Sequence, residues 1–447
     1  MAKKFVPGTG ISVGPEEQAP QESAVATKSG GRTERVPERE PSIFRDPGYR
    51  WLFSAALVSK IGAQVSYIAI PLIAVTELNA TAGQVGLLGA LSFAAFLLVG
   101  LPAGVWVDRM RRRPVMIVAQ VSRAVLMAAV PIAWVLDSLT IYQLYAVVLL
   151  SGVGTVFDDV AAQSYLPHVA GRDRLMAANT GISSLNAGSE VAGRSVGGYL
   201  VAAVTAAGAV MVDIAGFLLS ALMLMRIRRP EAKSERGTDR DLPREMRDGL
   251  RFVLGHPILR PIAFAGALTN FSFQVNLVIM PIIFVRQLHL SETALGAYLS
   301  IGGVGVLTGA LLARRVAHRV GHGRMLWIAG AAVAPIALFV PLIDNGPWLF
   351  VAGGAWLLVT MKAGIDNVVQ VSFRQRATPD AMLGRMNATM RFLMTGALAI
   401  GAGVGGLVAQ LAGARAALWV SAAGLACIWV IIYFSPLRGM RDLPGES

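Results

Sequence analysis

The sequence predicts an all-α membrane protein: twelve transmembrane helices in two parallel six-helix repeats, with both termini on the cytoplasmic side. Three observations predict it. Apolar segments of about 20 residues, long enough to cross a bilayer core, recur from Trp51 onward. Lys and Arg are concentrated in alternate loops. The chain also repeats itself: a shift of 208 positions carries Asp158 onto Asp366, Ser164 onto Ser372, Leu175 onto Leu383 and Asn179 onto Asn387. The same shift carries Gly193, Val196, Gly197 and Gly198 onto Gly401, Val404, Gly405 and Gly406. A run of matches at one offset marks two homologous halves. Composition agrees, since 54% hydrophobic and 15% charged residues, with a mean hydropathy of +0.57, suit a bilayer rather than water.

Residues 1–47 are rich in Gly, Pro, Glu, Ser, Lys and Arg without apolar periodicity, and read as a disordered cytoplasmic leader. No apolar stretch follows the first lysines, so this is not a signal peptide. The N-terminal bundle, 48–226, holds spans at 52–76, 82–103, 114–135, 140–163, 179–203 and 206–226. A cytoplasmic linker, 227–260, contains an amphipathic piece at 244–254 expected to form a surface helix. The C-terminal bundle, 261–436, holds spans at 261–285, 293–313, 325–343, 348–370, 387–411 and 415–435, and 437–447 is a cytoplasmic tail. Gly and Pro within the spans are tolerated because neighbouring helices satisfy the freed backbone groups.

Orientation follows from charge. The loops at 109–113, 172–174, 227–260, 314–324 and 374–385 are basic. Those near 79, 138, 205 and 345 carry no Lys or Arg, and those near 287 and 413 carry only Arg286 and Arg415. Both termini are therefore expected in the cytoplasm. Six spans per half, an even number, make the repeats parallel. The net charge of +13 is thus topogenic, and no nucleic-acid partner is expected. Lone Cys427 provides neither a disulfide framework nor a Cys-based metal site, and the five histidines sit in loops or at helix ends, so no metal is expected. No Gly-Lys dipeptide exists to form a Walker A loop and H-E-x-x-H does not occur, and the G-x-S-x-G string at Gly193–Gly197 lies inside an apolar span rather than at a strand-to-helix elbow, so no ATP motor or hydrolase is indicated.

Between the second and third spans stands Gly104-Val-Trp-Val-Asp108-Arg109-Met-Arg111-Arg112-Arg113. It resembles the loop motif G-x-L-a-D-r-x-G-r-k of the major facilitator superfamily, with Arg111 in place of the second glycine. A degenerate copy at 314–324 has His318 where the Asp would stand. The stretches 157–167 and 374–385 are most similar to the bacterial branch of drug, macrolide and siderophore exporters. The resemblance implies that Gly104, Asp108, Arg109 and Arg113 form a conformational latch between the halves. Physically, Gly104 permits close helix approach, Asp108 can accept from a helix N-terminus or an arginine, and the arginines anchor the cytoplasmic face. The alternative is that the arginines are only topogenic. Gly193-Arg194-Ser-Val-Gly197-Gly198 resembles the antiporter motif G-P-x-x-G-G, with Arg194 replacing the proline and removing its helix bend. The glycines of both copies (Gly193, Gly197, Gly198, Gly401, Gly405, Gly406) also read as close-packing faces.

A charge at the bilayer centre costs roughly 2.5–3.5 kcal/mol on insertion scales, so such residues face a cavity or a partner. The candidates are Lys60, Arg123, Asp158, Asp159, Glu190, Arg194, Lys362 and Asp366. Asn179, Ser183, Asn186, Glu190 and Arg194 make one polar stripe along the fifth span. Glu190 and Arg194 lack charged counterparts in the second half, where Leu398 and Ala402 stand, and are the leading candidates for coupling a proton to substrate. Glu190/Arg194 and Lys362/Asp366 are both spaced i, i+4, so they read either as satisfied ion pairs or as titratable groups on a central cavity. Gln64 stands on the first span where relatives often carry an acid. Asn270 and Gln274 share a face of the seventh span and either bind substrate or bond across to the eleventh.

The expected protein is a monomeric, multi-pass transporter of the bacterial inner membrane with no bound cofactor. It exports a small amphipathic molecule (drug, antibiotic or siderophore-like, as in multidrug resistance) by alternating access, in exchange for protons. The alternatives are an importer or facilitator of a small anionic metabolite, suggested by Arg194, and a non-transporting membrane sensor or scaffold.

Overall fold

The computed structural model describes residues 43–171, 174–175, 177–182, 184–185, 188–189, 206–228 and 242–440. Among them the elements are all helical. Helix α1 (Pro47–Thr76) starts where Asp46 accepts from the backbone N–H groups of Gly48 (2.9 Å) and Tyr49 (3.3 Å), with Pro47 preset for the first turn. A 3-10 turn, Ile43–Arg45, precedes it. Residues 43–47, placed in the segment expected to be disordered, are instead held by the Asp46 cap and by buried Ile43 and Tyr49. Helix α2 (Ala82–Asp108) opens on a capping box: Gln84 N–H donates to Thr81 Oγ1 (3.3 Å) and Thr81 N–H to Gln84 Oε1 (2.8 Å). Then come α3 (Arg112–Val135), α4 (Ile141–Ala170), capped by Thr140, and α5 (Ala206–Met225).

The amphipathic linker piece is helix α6 (Leu242–Gly255). It lies on α11, where buried Val253 meets Met386 and Met390. Helix α7 (Leu259–Pro281) begins where His256 Nδ1 accepts from the N–H groups of Ile258 and Leu259. After Pro281 the chain widens into a π turn, Ile282–Gln287. Helices α8 (Glu292–Val320), α9 (His322–Ala337), α10 (Pro347–Arg376), α11 (Asp380–Ala412) and α12 (Ala414–Tyr433) follow. Among the described residues, eleven helical segments are long and apolar enough to cross a membrane. The remaining expected span, 179–203, lies mostly outside the described residues; those described between 177 and 189 are helical.

The internal duplication reappears as packing. In the first half α1 packs on α5, α2 on α4, and α3 on both α4 and α5. In the second half α7 packs on α12, α8 on α10, and α9 on both α10 and α12. The halves meet chiefly along α2 and α11. There Gly86 faces Gly406 so closely that a Cβ on either would stand 2.5 Å from the other's Cα, which only glycine allows.

The apolar core shows which end is closed. The largest cluster joins both halves, with Leu72, Ile73 and Leu88 packing in one body with Val278, Ile279 and Ala402. Toward the basic end it divides. One cluster there, including Tyr49, Met116 and Tyr165, belongs wholly to the first half, and another, including Ile262, Ala317 and Phe373, wholly to the second. The halves thus share a core at one end and keep separate cores at the other.

Candidate functional site

At the divided end, α1, α3, α4 and α11 bring polar side chains to a cavity of about 320 Å³. Its lining includes Lys60, Gln120, Asp158, Asp159, Asn179 and Arg391. Lys60 Nζ donates to Asp159 Oδ1 at 3.4 Å, and Arg391 Nη2 donates to Asp159 Oδ2 at 3.2 Å. Lys60 and Asp159 belong to the first half and Arg391 to the second, so one carboxylate ties the halves together. Arg391 also lies 4.7 Å over the Phe96 ring, an attraction that holds the guanidinium beside α2. The side chains of Asp159 and Arg391 are 29% and 49% exposed, so the pair is wet and reversible rather than locked. Alongside, Ser59 Oγ donates to Gln120 Oε1 (3.1 Å), whose Nε2 donates to Asp158 Oδ2 (3.0 Å).

Behind the cavity wall sits a second charged group. Arg123 is 6% exposed, and its Cζ lies 3.9 Å from the centre of the Phe217 ring. Gly154 makes its room, since a Cβ there would stand 2.7 Å from Arg123 Cγ. One turn before Phe217 on α5 is Asp213, fully buried, with neither carboxylate oxygen hydrogen-bonded. Gly62 of α1 yields the space for it, because a Cβ there would stand 2.9 Å from Asp213 Oδ1. Sequence reading missed Asp213, a single acid in an otherwise apolar span. The signal was present, since an intramembrane carboxylate is itself a reason to look for a partner. Arg391 was missed too, for it stands near the cytoplasmic end of its span among topogenic arginines.

Lys362 and Asp366 do pair along α10, but away from the cavity. They are buried inside the second half, against a void of about 20 Å³ between α7, α9, α10 and α12. That holds roughly one water molecule and no organic substrate. On α7, Asn270 Nδ2 donates to the Met394 carbonyl of α11 (3.2 Å), and Gln274 Oε1 accepts from Tyr67 of α1 (2.9 Å). Both side chains therefore serve helix contacts here, one of them between halves. Gln64 is half-buried one turn beyond Lys60.

In the basic loop, the reading of Gly104 as a close-approach residue finds no contact among the described residues, none of which lies within 4 Å of a Cβ built there. Arg113 donates to the carbonyls of Leu224 (2.9 Å) and Met225 (2.6 Å), so it satisfies the open C-terminus of α5. Arg109 is exposed. The Asp108 side chain lies outside the described residues, as do Ser183, Asn186, Glu190, Gly193, Arg194, Gly197 and Gly198 of the fifth span. In the second copy of the glycine motif, Gly401 and Gly405 press on the α7 backbone at Phe271 and Val275, while Gly406 meets α2.

Eleven membrane-length helices among the described residues, packing repeated between two halves, and a charged cavity between them describe a carrier. The family profile of the Major Facilitator Superfamily matches residues 52–374. The chain belongs to that superfamily. It is a multi-pass membrane transporter and not an enzyme. The likeness to bacterial exporters also holds within the superfamily. The enterobactin exporter EntS of Escherichia coli O1:K1 / APEC is 26% identical over 412 residues, 90% of this chain and 95% of that protein. Among solved superfamily folds, a bacterial homologue of the iron transporter ferroportin in its inward-facing state superposes with a TM-score of 0.70. It is 17% identical and covers 88% of this chain and 98% of its own. The outward-facing state of a bacterial ferroportin homologue gives a TM-score of 0.58 at 16% identity, covering 86% and 98%.

Proposed function

We propose that this protein is a proton-coupled exporter of a bacterial inner membrane, carrying a small amphipathic, siderophore-like molecule outward by alternating access. The supporting observation is the cavity at the basic end, where cations from both halves, Lys60 and Arg391, converge on Asp159. With the basic loops in the cytoplasm, this cavity loads from the cytoplasm while the α2–α11 seal closes the outside. The closer likeness to the inward-facing than to the outward-facing ferroportin homologue agrees with that arrangement. A substrate bearing an acidic or catechol oxygen replaces the Asp159 carboxylate on Lys60 and Arg391. Glu190 and Arg194 on the fifth span are proposed to carry the proton onward. The twelve-span architecture, the cytoplasmic termini and the monomeric state belong to this proposal.

The opposite direction is the second reading, because a cavity with two cations also suits uptake of an anionic nutrient. Everted membrane vesicles distinguish the two. Acid-interior everted vesicles containing the protein are expected to accumulate a catecholate siderophore, and to lose that accumulation with a protonophore or with Glu190→Gln. Accumulation only in right-side-out vesicles establishes import, and no flux in either orientation removes the transporter mechanism proposed here.

A further inference from the structure

Membrane-facing sides of α3 and α4 leave between them a groove of about 910 Å³, apart from the cavity just described. That is the upper part of the range for small-ligand pockets, roughly 300–1,000 Å³. Its walls are apolar: Val118 and Leu126 on α3, Leu150, Val153 and Phe157 on α4. Val118 is 66% and Leu150 50% exposed, so the groove opens sideways toward lipid rather than toward the space between the halves. The α2 residue Trp106 stacks on Phe157 with ring centres 6.0 Å apart, which fixes one margin. From Arg111 to Leu126 the wall runs about 22 Å along the helix axis at about 1.5 Å per residue, enough to follow an acyl chain through one leaflet.

The basic end of this groove is charged and unsatisfied. Arg109 and Arg111 form part of the lining there and are exposed. Among the described residues, no side chain or carbonyl hydrogen-bonds or pairs with their guanidinium groups. Arg111 also stands at the N-cap of α3 and gives that helix no side-chain cap, so the first-turn N–H groups face the same end. Two exposed cations and a helix N-terminus without a side-chain cap, at the mouth of an apolar slot, complement one ligand shape: an anionic head carrying two apolar chains.

We propose that this groove is a binding site for one anionic diacyl phospholipid of the leaflet at the basic end. The phosphate and headgroup lie on Arg109, Arg111 and the α3 N-terminus, and the acyl chains lie along α3 and α4. Arg111 supplies this site because it stands where the loop motif would otherwise have glycine. The test is native mass spectrometry of the full-length protein titrated with phosphatidylglycerol or phosphatidylcholine. Wild type is expected to retain one phosphatidylglycerol at least about 10-fold more tightly than phosphatidylcholine. Arg111→Gln, an exposed change that leaves the fold intact, is expected to weaken phosphatidylglycerol about 5-fold, the usual effect of one basic residue on an anionic lipid. Val153→Trp, which fills the groove, is expected to abolish the retained lipid, while Arg319→Gln, at another exposed basic position, leaves it unchanged. Equal retention of the two lipids, or undiminished phosphatidylglycerol on Arg111→Gln, would overturn the assignment.

Discussion

Asp159 receives one cation from its own half, Lys60, and one from the other, Arg391. Because all three groups are partly hydrated, each pair contributes about 0–1 kcal/mol to stability. The value of the arrangement lies in its being breakable. Asp159→Asn or Arg391→Gln is therefore expected to lower transport at least about 10-fold while shifting the thermal midpoint little. The double charge swap Asp159→Arg/Arg391→Asp is expected to recover part of the rate in proteoliposomes. A swap no better than either single variant would remove the interdomain pair from the mechanism. Arg123 belongs to the opposite regime. It is buried over Phe217, one turn along α5 from buried Asp213, and removing a buried charge partner typically destabilises by about 3–5 kcal/mol. Asp213 and Arg123 thus read as the rigid backing of the cavity, and Asp159 as its moving part.

Among the helices, α11 has most to do. Its Gly401 and Gly405, one turn apart, lie against α7, and Gly406 turns the adjacent face toward Gly86 of α2. At Gly401 and Gly406 the obstruction is backbone at 2.5 Å, so a side chain there has no rotamer of escape and the helices must separate. Gly406→Leu is expected to open the sealed end. With Cys427→Ala as background, the labelling rate of Val85→Cys by an impermeant thiol reagent should rise about 10-fold, since Val85, next to Gly86, is only 1% exposed in the shared core. Unaltered labelling would show that α2 and α11 do not form the gate. The π turn after Pro281 matters for the same seam. It carries Arg286 to the opposite half, where the guanidinium bonds the carbonyls of Ala80 (2.7 Å) and Val75 (2.8 Å).

For the molecule as a whole, those two bonds weight the balance between states. Hydrogen bonds to charged groups contribute about 1.5–3 kcal/mol, and about 1.4 kcal/mol changes an equilibrium tenfold. With two such bonds lost, Arg286→Ala is accordingly expected to raise the population open at the sealed end by at least about 100-fold. Spin labels at Leu136 and Trp348, both exposed near that end, report it as a longer second distance. If the distribution stays single and short, the apolar core alone holds the seal.

Much of this architecture is legible along the chain because a bilayer simplifies the code: spans, alternating basic loops and the duplicated glycines each follow from local spacing. The Lys362–Asp366 pair was legible for the same reason, since i, i+4 on one helix needs no knowledge of the rest. Its location was not, and the structure places it in a closed void of the second half. Asp159 and Arg391 are 232 residues apart, and Gly86 and Gly406 lie in different halves. No periodicity links them, because helices that are apolar on every side do not announce which face meets lipid and which meets protein. The sequence by itself therefore determined that this chain is a two-halved membrane carrier and where its charges lie along each span. Only the tertiary structure decided which charges meet, because those meetings depend on how helices far apart in the chain rotate and approach.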